Sequence, residues 1–306
     1  MTLPPASPCP ADVWQVPLPQ HVVRVSGADA ATFLHAQLVS HILRLSAGEV
    51  IRTAWCTPQG RVSFLFWLLK TADAFLLVIP ASEQPRLVQR LRMFVLRAQV
   101  TIESLDGQWS VYGIKPAPDD ERWFADEGTL HHPKPDIFAF RCGKHGRQLC
   151  LGPADVLANW APLTALPAGG ADCWQACDIA ELMAEVTGPL VNAFLPQQLN
   201  LDMRGTLAFD KGCYPGQEII ARLKYRGEVK ARLQVGTCSE ALQAGWRLLP
   251  SDAAPTGGTV VLSAPAQDGK FLVLAVADLG AQSQSLATAE RPQAPVRFPA
   301  REPDAA

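Results

Sequence analysis

The sequence has no apolar stretch near the roughly 18 residues that cross a membrane as a helix; runs such as 64–69 are strand length. Its first ten residues carry neither a basic region nor an apolar core, so no secretory leader is expected. There is no surplus of charge: 27 Lys and Arg stand against 29 Asp and Glu, a formal net charge of -2. A protein that coats duplex DNA needs a cationic excess for the phosphates, so that class is set aside, although a local basic patch is not. No CxxC pair occurs among the eight cysteines, at 9, 56, 142, 150, 173, 177, 213 and 238. Neither a zinc ribbon nor a disulfide scaffold is expected, and the thiols read as reduced and mostly buried, in a cytoplasmic protein. Only six histidines occur and none is near Cys213 in sequence, so no catalytic Cys–His pair is visible. No Gly-rich phosphate loop follows a strand.

What is present is core material. The chain has 306 residues, 48% of them hydrophobic and 18% charged, which predicts two or three folded domains rather than disorder. Segment 22–25 reads as a strand, followed by a helix whose apolar face is Ala30, Phe33, Leu34, Leu38 and Ile42, with Ser26 as its cap and Asp29 completing a capping box. Strands are expected at 49–56, 61–69, 74–79 and 100–102. A second helix from about residue 82 or 85 turns Leu87, Val88, Leu91, Phe94 and Val95 inward. Arg86, Arg90 and Arg97 lie on another face of it, as a solvated surface or an anion contact. A second unit holds strands at 109–114, 138–141 and 148–151 and helices at 153–160 and 172–186. Short strands at 229–235, 246–249, 258–263 and 271–277 predict a small antiparallel β-barrel. Strands and helices mix without a βαβ repeat, so the class is α+β. The expected boundaries are 20–105 for the first α+β domain, 106–228 for the second and 229–280 for the barrel. Residues 1–19 and 281–306, rich in proline or in small polar residues, read as disordered extensions.

One segment stands apart, 209–218, with the order Phe-Asp-Lys-Gly-Cys-Tyr-Pro-Gly-Gln-Glu. Pro215 presets φ and Gly216 supplies the positive φ of a type II turn, which would hold Cys213 in a fixed, exposed place. Lys211 and Arg222 would favour its thiolate, as would a helix opening at Gly216, Gln217 and Glu218. Three readings of Cys213 stay open: a small turn residue, a reactive thiol, or a ligand to a metal or cluster shared with thiols outside the chain. The next stretch holds five basic residues and one acid in eleven positions, every basic residue even-numbered: Arg222, Lys224, Arg226, Lys230 and Arg232. In extended chain they would form one basic stripe opposite Leu223, Tyr225, Val229 and Ala231. Such a stripe is either a solvated strand face or a site for phosphate or carboxylate, as on a tRNA backbone or a folate glutamate tail.

The run Lys211, Gly212, Cys213, Tyr214, Pro215, Gly216, Gln217, Glu218 resembles the signature of the YgfZ family, folate-binding relatives of the T-protein (GcvT) of the glycine cleavage system. Phe194, Pro196, Gln197, Asn200 and Asp202 upstream fit as well, as do Arg222, Tyr225, Arg226, Gly227, Lys230 and Arg232 downstream. Near the start, segments 25–37 and 58–61 share the wider superfamily pattern. The resemblance spans about 20–280. It implies a three-domain GcvT/YgfZ-like arrangement around a central folate pocket, with a C-terminal β-barrel. It implies tetrahydrofolate or a one-carbon derivative as ligand, bound through Trp174, Arg222, Tyr225 and Arg226; Trp174 would stack on the pterin. It implies a role in assembling or repairing iron–sulfur clusters of partner enzymes, including those that thiolate tRNA, with Cys213 as the functional thiol. The chain departs from its relatives in three places. Leu182 and Ala184 stand where a Gly-x-Pro is usual. Gly205 and Thr206 replace a Gly-Gly pair. The stretch 60–65 lacks the acidic pair of T-protein enzymes, so a folate-dependent aminomethyl or one-carbon transferase is the alternative function.

Overall fold

The computed structural model describes residues 13–118, 120, 123, 126–143, 146–250, 257–266, 269–281 and 285–299. Strand β1 (Trp14–Pro17) is followed at once by β2 (Gln20–Ser26), helix α1 (Ala30–Gln37), β3 (Val50–Cys56), β4 (Val62–Lys70), β5 (Ala74–Pro80), helix α2 (Gln84–Val95) and β6 (Thr101–Ser104). These form an antiparallel sheet of order β3-β4-β5-β2-β6, without β1. Side chains alternate across it, as strand geometry requires. Val23, Val25, Phe64, Phe66, Leu68, Phe75, Leu77 and Ile79 face Phe33, Leu34, Leu87, Val88 and Leu91 of the two helices. Val22, Leu76 and Val78 point the other way, into the second unit. Both faces are covered, which is why β5 reads as one unbroken apolar run. Helix α1 starts later than Ser26 suggested. Ser26 stays in β2, and Asp29 sits at the N-cap and accepts a 2.7 Å bond from the Gln99 amide instead of capping the helix. The arginines of α2 are not simply solvated: Arg86 pairs with Glu83 at 2.6 Å and lies 3.9 Å over Phe64, and Arg90 lies 5.1 Å over Trp55.

The second unit contains β7 (Trp109–Lys115), β8 (His131–Lys134), β9 (Ile137–Arg141), β10 (Gln148–Pro153) and helices α3 (Ala154–Ala158), α4 (Ala161–Thr164) and α5 (Ala171–Ala180). Its sheet runs β1-β7-β10-β9-β8. Strand β1, from the stretch expected to be disordered, is thus an edge of the second sheet, with Trp14 paired to Lys115 and Pro17 to Tyr112. Four residues ending in a proline are enough because Trp14 and Val16 both enter the core between the two sheets. Helix α5 ends at Ala180, short of the expected 186, because Leu182 takes φ +55°, outside the right-handed helical region.

After α6 (Gln217–Arg226), β11 (Ala231–Cys238), β12 (Arg247–Pro250), β13 (Gly258–Pro265), β14 (Phe271–Asp278), β15 (Ser285–Thr288) and β16 (Val296–Arg297) close a barrel of order β11-β14-β13-β12-β15-β16. The last two strands come from the stretch read as a disordered tail. They belong to the barrel because Leu286 and Val296 are needed to fill its interior. The outer face of the barrel, including Leu233, Leu272, Leu274 and Val276, packs with Ala176, Ile179, Tyr214 and Ile220 and with Ala54, Cys56 and Leu65 of the first sheet. The centre where the three units meet is therefore an apolar core. Six of the cysteines are free thiols: 56, 142, 150, 177, 213 and 238. Cys173 is disulfide-bonded, which corrects the expectation of reduced thiols throughout.

Trp14 anchors β1 edge-on against Trp174 at 6.3 Å between ring centroids, with 1% of its surface exposed. Trp14→Ala is expected to cost about 3–5 kcal/mol, the usual range for a large aromatic removed from a core, read as a lower midpoint in a denaturant titration.

Candidate functional site

The Cys213 turn is held from beneath by one ammonium group. Helix α1 ends with carbonyls that lack helical partners, as every helix does. The Lys211 Nζ donates to three carbonyls of that region: His35, Leu38 at 2.7 Å and Ser40 at 2.9 Å. An ammonium has three protons, so its donor capacity is used up. A cation at a helix C-terminus is also favoured by the dipole. Burial pushes the Lys211 pKa down to about 8. The Tyr214 ring lies 4.9 Å from the ammonium, and its hydroxyl donates to the Ala208 carbonyl at 3.3 Å. Gly216 has φ +82°, the left-handed conformation the Pro-Gly pair predicted. A Cβ at Gly216 would also lie 2.5 Å from the Thr57 carbonyl oxygen and 2.6 Å from Gly60 Cα, so glycine is required for close approach as well. Gln217 Nε2 donates to the Lys211 carbonyl at 3.4 Å, and Asp210 pairs with Arg44 at 2.7 Å. The result is an exposed Cys213 and Gly212 displayed on a pinned loop. Lys211 fixes the loop, its protons committed to three carbonyls.

Gly216, Gln217 and Glu218 do open a helix, and its extent corrects the basic stripe. Residues 217–226 are α6, so successive side chains turn by about 100° instead of alternating. Helix wins because most of these residues are good helix formers and Ile220 is its buried anchor. Arg222 and Arg226 then stand one turn apart, both exposed. Lys224 folds back over Phe209 at 3.8 Å and lies 5.4 Å from the Tyr225 ring. Lys230 lies in the connection to β11 and is exposed. Arg232 is taken out of the set: it forms a forked pair with Asp202 at 2.9 and 2.8 Å and donates to the Gln197 carbonyl at 2.8 Å.

Trp174, expected to face a pterin, is a core residue. It is 8% exposed, meets Trp14 edge-on, closes over Gly113, and has the Arg147 guanidinium 4.4 Å from its ring centroid. Arg147 is itself fully buried, paired with Asp178 at 2.9 Å and Glu181 at 3.2 Å. Trp174 and the exposed trio Arg222, Tyr225 and Arg226 therefore share no surface. The departures from the family pattern show in the backbone. Leu182, where relatives carry glycine, holds φ +55°, and Gly205 holds φ +68°.

A polar cluster that sequence reasoning missed lies beside this network. The Glu185 side chain is accessible, accepts from Gln20 Nε2, and yet has its carboxyl pKa raised to about 7 by burial and then by Asp178, against the pull of Arg52. The Arg52 guanidinium donates to Met183 Sδ at 3.0 Å and to the Ala184 carbonyl and lies 5.7 Å from the Trp67 ring; burial pushes its pKa down to about 10. Its Nε and the Glu181 Oε1 are buried without a hydrogen-bond partner among the described residues. Arg204 donates to the carbonyls of Glu181 and Leu182. The one available signal was an arginine in the middle of the apolar strand β3; Glu185 carried none.

No family model matches the chain. Among solved structures it is similar to the glycine cleavage system aminomethyltransferase T from Bartonella henselae, with a TM-score of 0.73, 14% identity, and coverage of 95% of this chain and 86% of that one. The chain thus has the aminomethyltransferase T fold. By sequence it is 29% identical over 286 residues to the tRNA-modifying protein YgfZ of Edwardsiella ictaluri, covering 85% of this chain and 83% of the relative. It is 23% identical over 288 residues to the protein of the same name in Colwellia psychrerythraea, covering 87% and 88%. An uncharacterized Haemophilus influenzae protein is 28% identical over 243 residues, covering 74% and 78%. The resemblance to the YgfZ family is shown over most of the chain.

Lys211→Met removes the ammonium while keeping the stem. It is expected to cost about 2 kcal/mol or more, because carbonyls paired to a charge lose their donor, and to speed amide exchange in 208–216. Glu185→Gln tests the polar cluster through pH. The folded carboxyl holds its proton up to about 7 against an ordinary 4.5. The folded state therefore binds more protons between those values, and wild-type stability falls as pH rises through them. The variant is expected to lose that decline in denaturant titrations across the same range.

Proposed function

We propose that this is a cytoplasmic folate-binding accessory protein that supports assembly or repair of iron–sulfur clusters in target enzymes, including enzymes that thiolate tRNA, with Cys213 as its working thiol. The observation that carries this reading is the exposed cysteine on a loop pinned by the Lys211 clamp and by Gly216 against Gly60. A turn that only needed a small residue would not require that much support beneath an accessible sulfur. The kinship supports the tRNA side, since relatives are called tRNA-modifying proteins; tRNA itself is proposed as a partner.

The residues of this polar cluster fit tetrahydrofolate or a one-carbon derivative. Unpartnered Arg52 Nε and Glu181 Oε1 call for an occupant with both acceptors and donors. The amide edge of a pterin donates two parallel N–H groups to a carboxylate such as Glu185, and the guanidinium of Arg52 would take an acceptor atom. Bound there, a folate would supply a one-carbon or redox-active pterin; the chain binds and orients it. The aminomethyltransferase alternative has the fold in its favour, but β4 offers Ser63, bonded to Asn192, where a carboxylate would be needed.

In a strain lacking the protein, a Cys213→Ala copy is expected to leave a cluster-dependent tRNA-thiolating enzyme deficient where the wild type restores it; full rescue overturns the thiol role. In a binding titration, Glu185→Gln is expected to weaken tetrahydrofolate about tenfold, the loss typical of one charged hydrogen bond; unchanged affinity would move the ligand away from this cluster.

A further inference from the structure

Helix α6 presents a face that neither the thiol nor the Arg52–Glu185 cluster uses. Tyr225 is 69% exposed, unusual for a tyrosine next to a protein core. Its ring meets Phe209 edge-on at 6.0 Å, and Lys224 lies over both rings. The tyrosine is thereby braced from behind by Phe209 while its outward surface stays open. On the same outer side, Arg222 and Arg226 stand one turn apart, and Lys230 follows after the break at Gly227. Among the described residues none of Arg222, Lys224, Arg226 and Lys230 forms an ion pair, in contrast to Arg44 with Asp210 and Arg232 with Asp202. Glu218, an exposed acid on this face one turn before Arg222, does not bridge to it, and exposed Glu228 flanks the other end.

We infer that this face binds the unpaired loop nucleotides of an RNA. A braced aromatic surface takes a base by stacking, and cations spaced along one helix side take the phosphates that follow it. Duplex fits poorly, because its bases are stacked inside and cannot reach Tyr225. The chain's net charge of -2 argues against a general polyanion surface, so the four cations act locally. The inference rests on the proposal that tRNA is a partner, and it locates the contact. The basic side chains act as a helix face joined to an aromatic step, which an extended stripe would not provide.

The test uses the full chain and three fluorescent RNAs of one length: a hairpin with a seven-nucleotide loop, a blunt duplex and a single strand. The hairpin and single strand are expected to bind, and the duplex at least tenfold more weakly. Across a salt series, Arg222→Gln with Arg226→Gln is expected to flatten the slope of log K against log salt by about 1.4, near 0.7 per phosphate contact on single strands. Tyr225→Ala is expected to weaken the hairpin roughly five- to hundredfold with the slope unchanged, the range for one stacked base. Both variants change exposed side chains, and circular dichroism checks their fold. Duplex bound as tightly as hairpin, no binding at low salt, or Tyr225→Ala binding like wild type each overturns the inference. Failure here leaves the Cys213→Ala rescue and the tetrahydrofolate titration to stand or fall on their own, since neither measures RNA binding to α6.

Discussion

The arrangement depends on a single ammonium group. Lys211 joins two parts of the chain that are remote in sequence: the end of α1 in the first unit and the loop that leads to α6 and the barrel. Helix ends leave carbonyls in need of donors, and loops leave backbone in need of order. Here one side chain answers both needs. The Tyr214 ring beneath the charge and the Gly216 approach to Gly60 close the same junction from other sides. Placing a buried cation in this position costs solvation, as the lowered Lys211 pKa records. Its protons are nonetheless matched to three acceptors, which makes the loop a rigid platform and leaves Cys213 as the group that faces outward.

What the sequence made legible follows the range of the physics involved. The Cys213 turn was readable because Pro215 and Gly216 act on their own dihedrals, and the helix that follows was foreshadowed at Gly216. The strands of the first sheet were readable from apolar runs. The basic segment misled because its even-numbered cations satisfy period two, while the true period was set by one buried residue, Ile220. Trp174 was assigned by likeness to a ligand face, but its neighbours Trp14, Gly113 and Arg147 come from distant segments and were invisible in sequence. Glu185 gave no local sign, since its character comes from desolvation by parts of the chain folded around it.

Two polar regions are thus separated by an apolar centre. The polar cluster around Arg52 and Glu185 belongs to the first unit and the segment after α5, while the thiol loop and α6 belong to the approach to the barrel. The packed cluster that includes Ala54, Ile179, Tyr214, Ile220 and Leu274 lies at the meeting of all three units and is continuous between them. Close-packed interiors transmit displacement because they have no slack to absorb it. A change around Arg52 that moves the segment after α5 therefore bears on the same apolar cluster that seats Tyr214 and Ile220, the two residues beneath the loop and the helix.

The position of β1 has a bearing on how the chain is made. This strand is made before β2 to β6, yet among the described residues its strand partner is β7, at Trp109–Lys115, and in between the whole first sheet is synthesised. Trp14 and Val16 must wait, apolar and unpaired, while β2 to β6 form their own ladder beside them. The second sheet closes around an end threaded back to it across that interval, a long loop whose closure entropy must be met before the contact repays it. Nascent chains stalled before β7 would therefore expose the Trp14 indole, the kind of surface that chaperones hold.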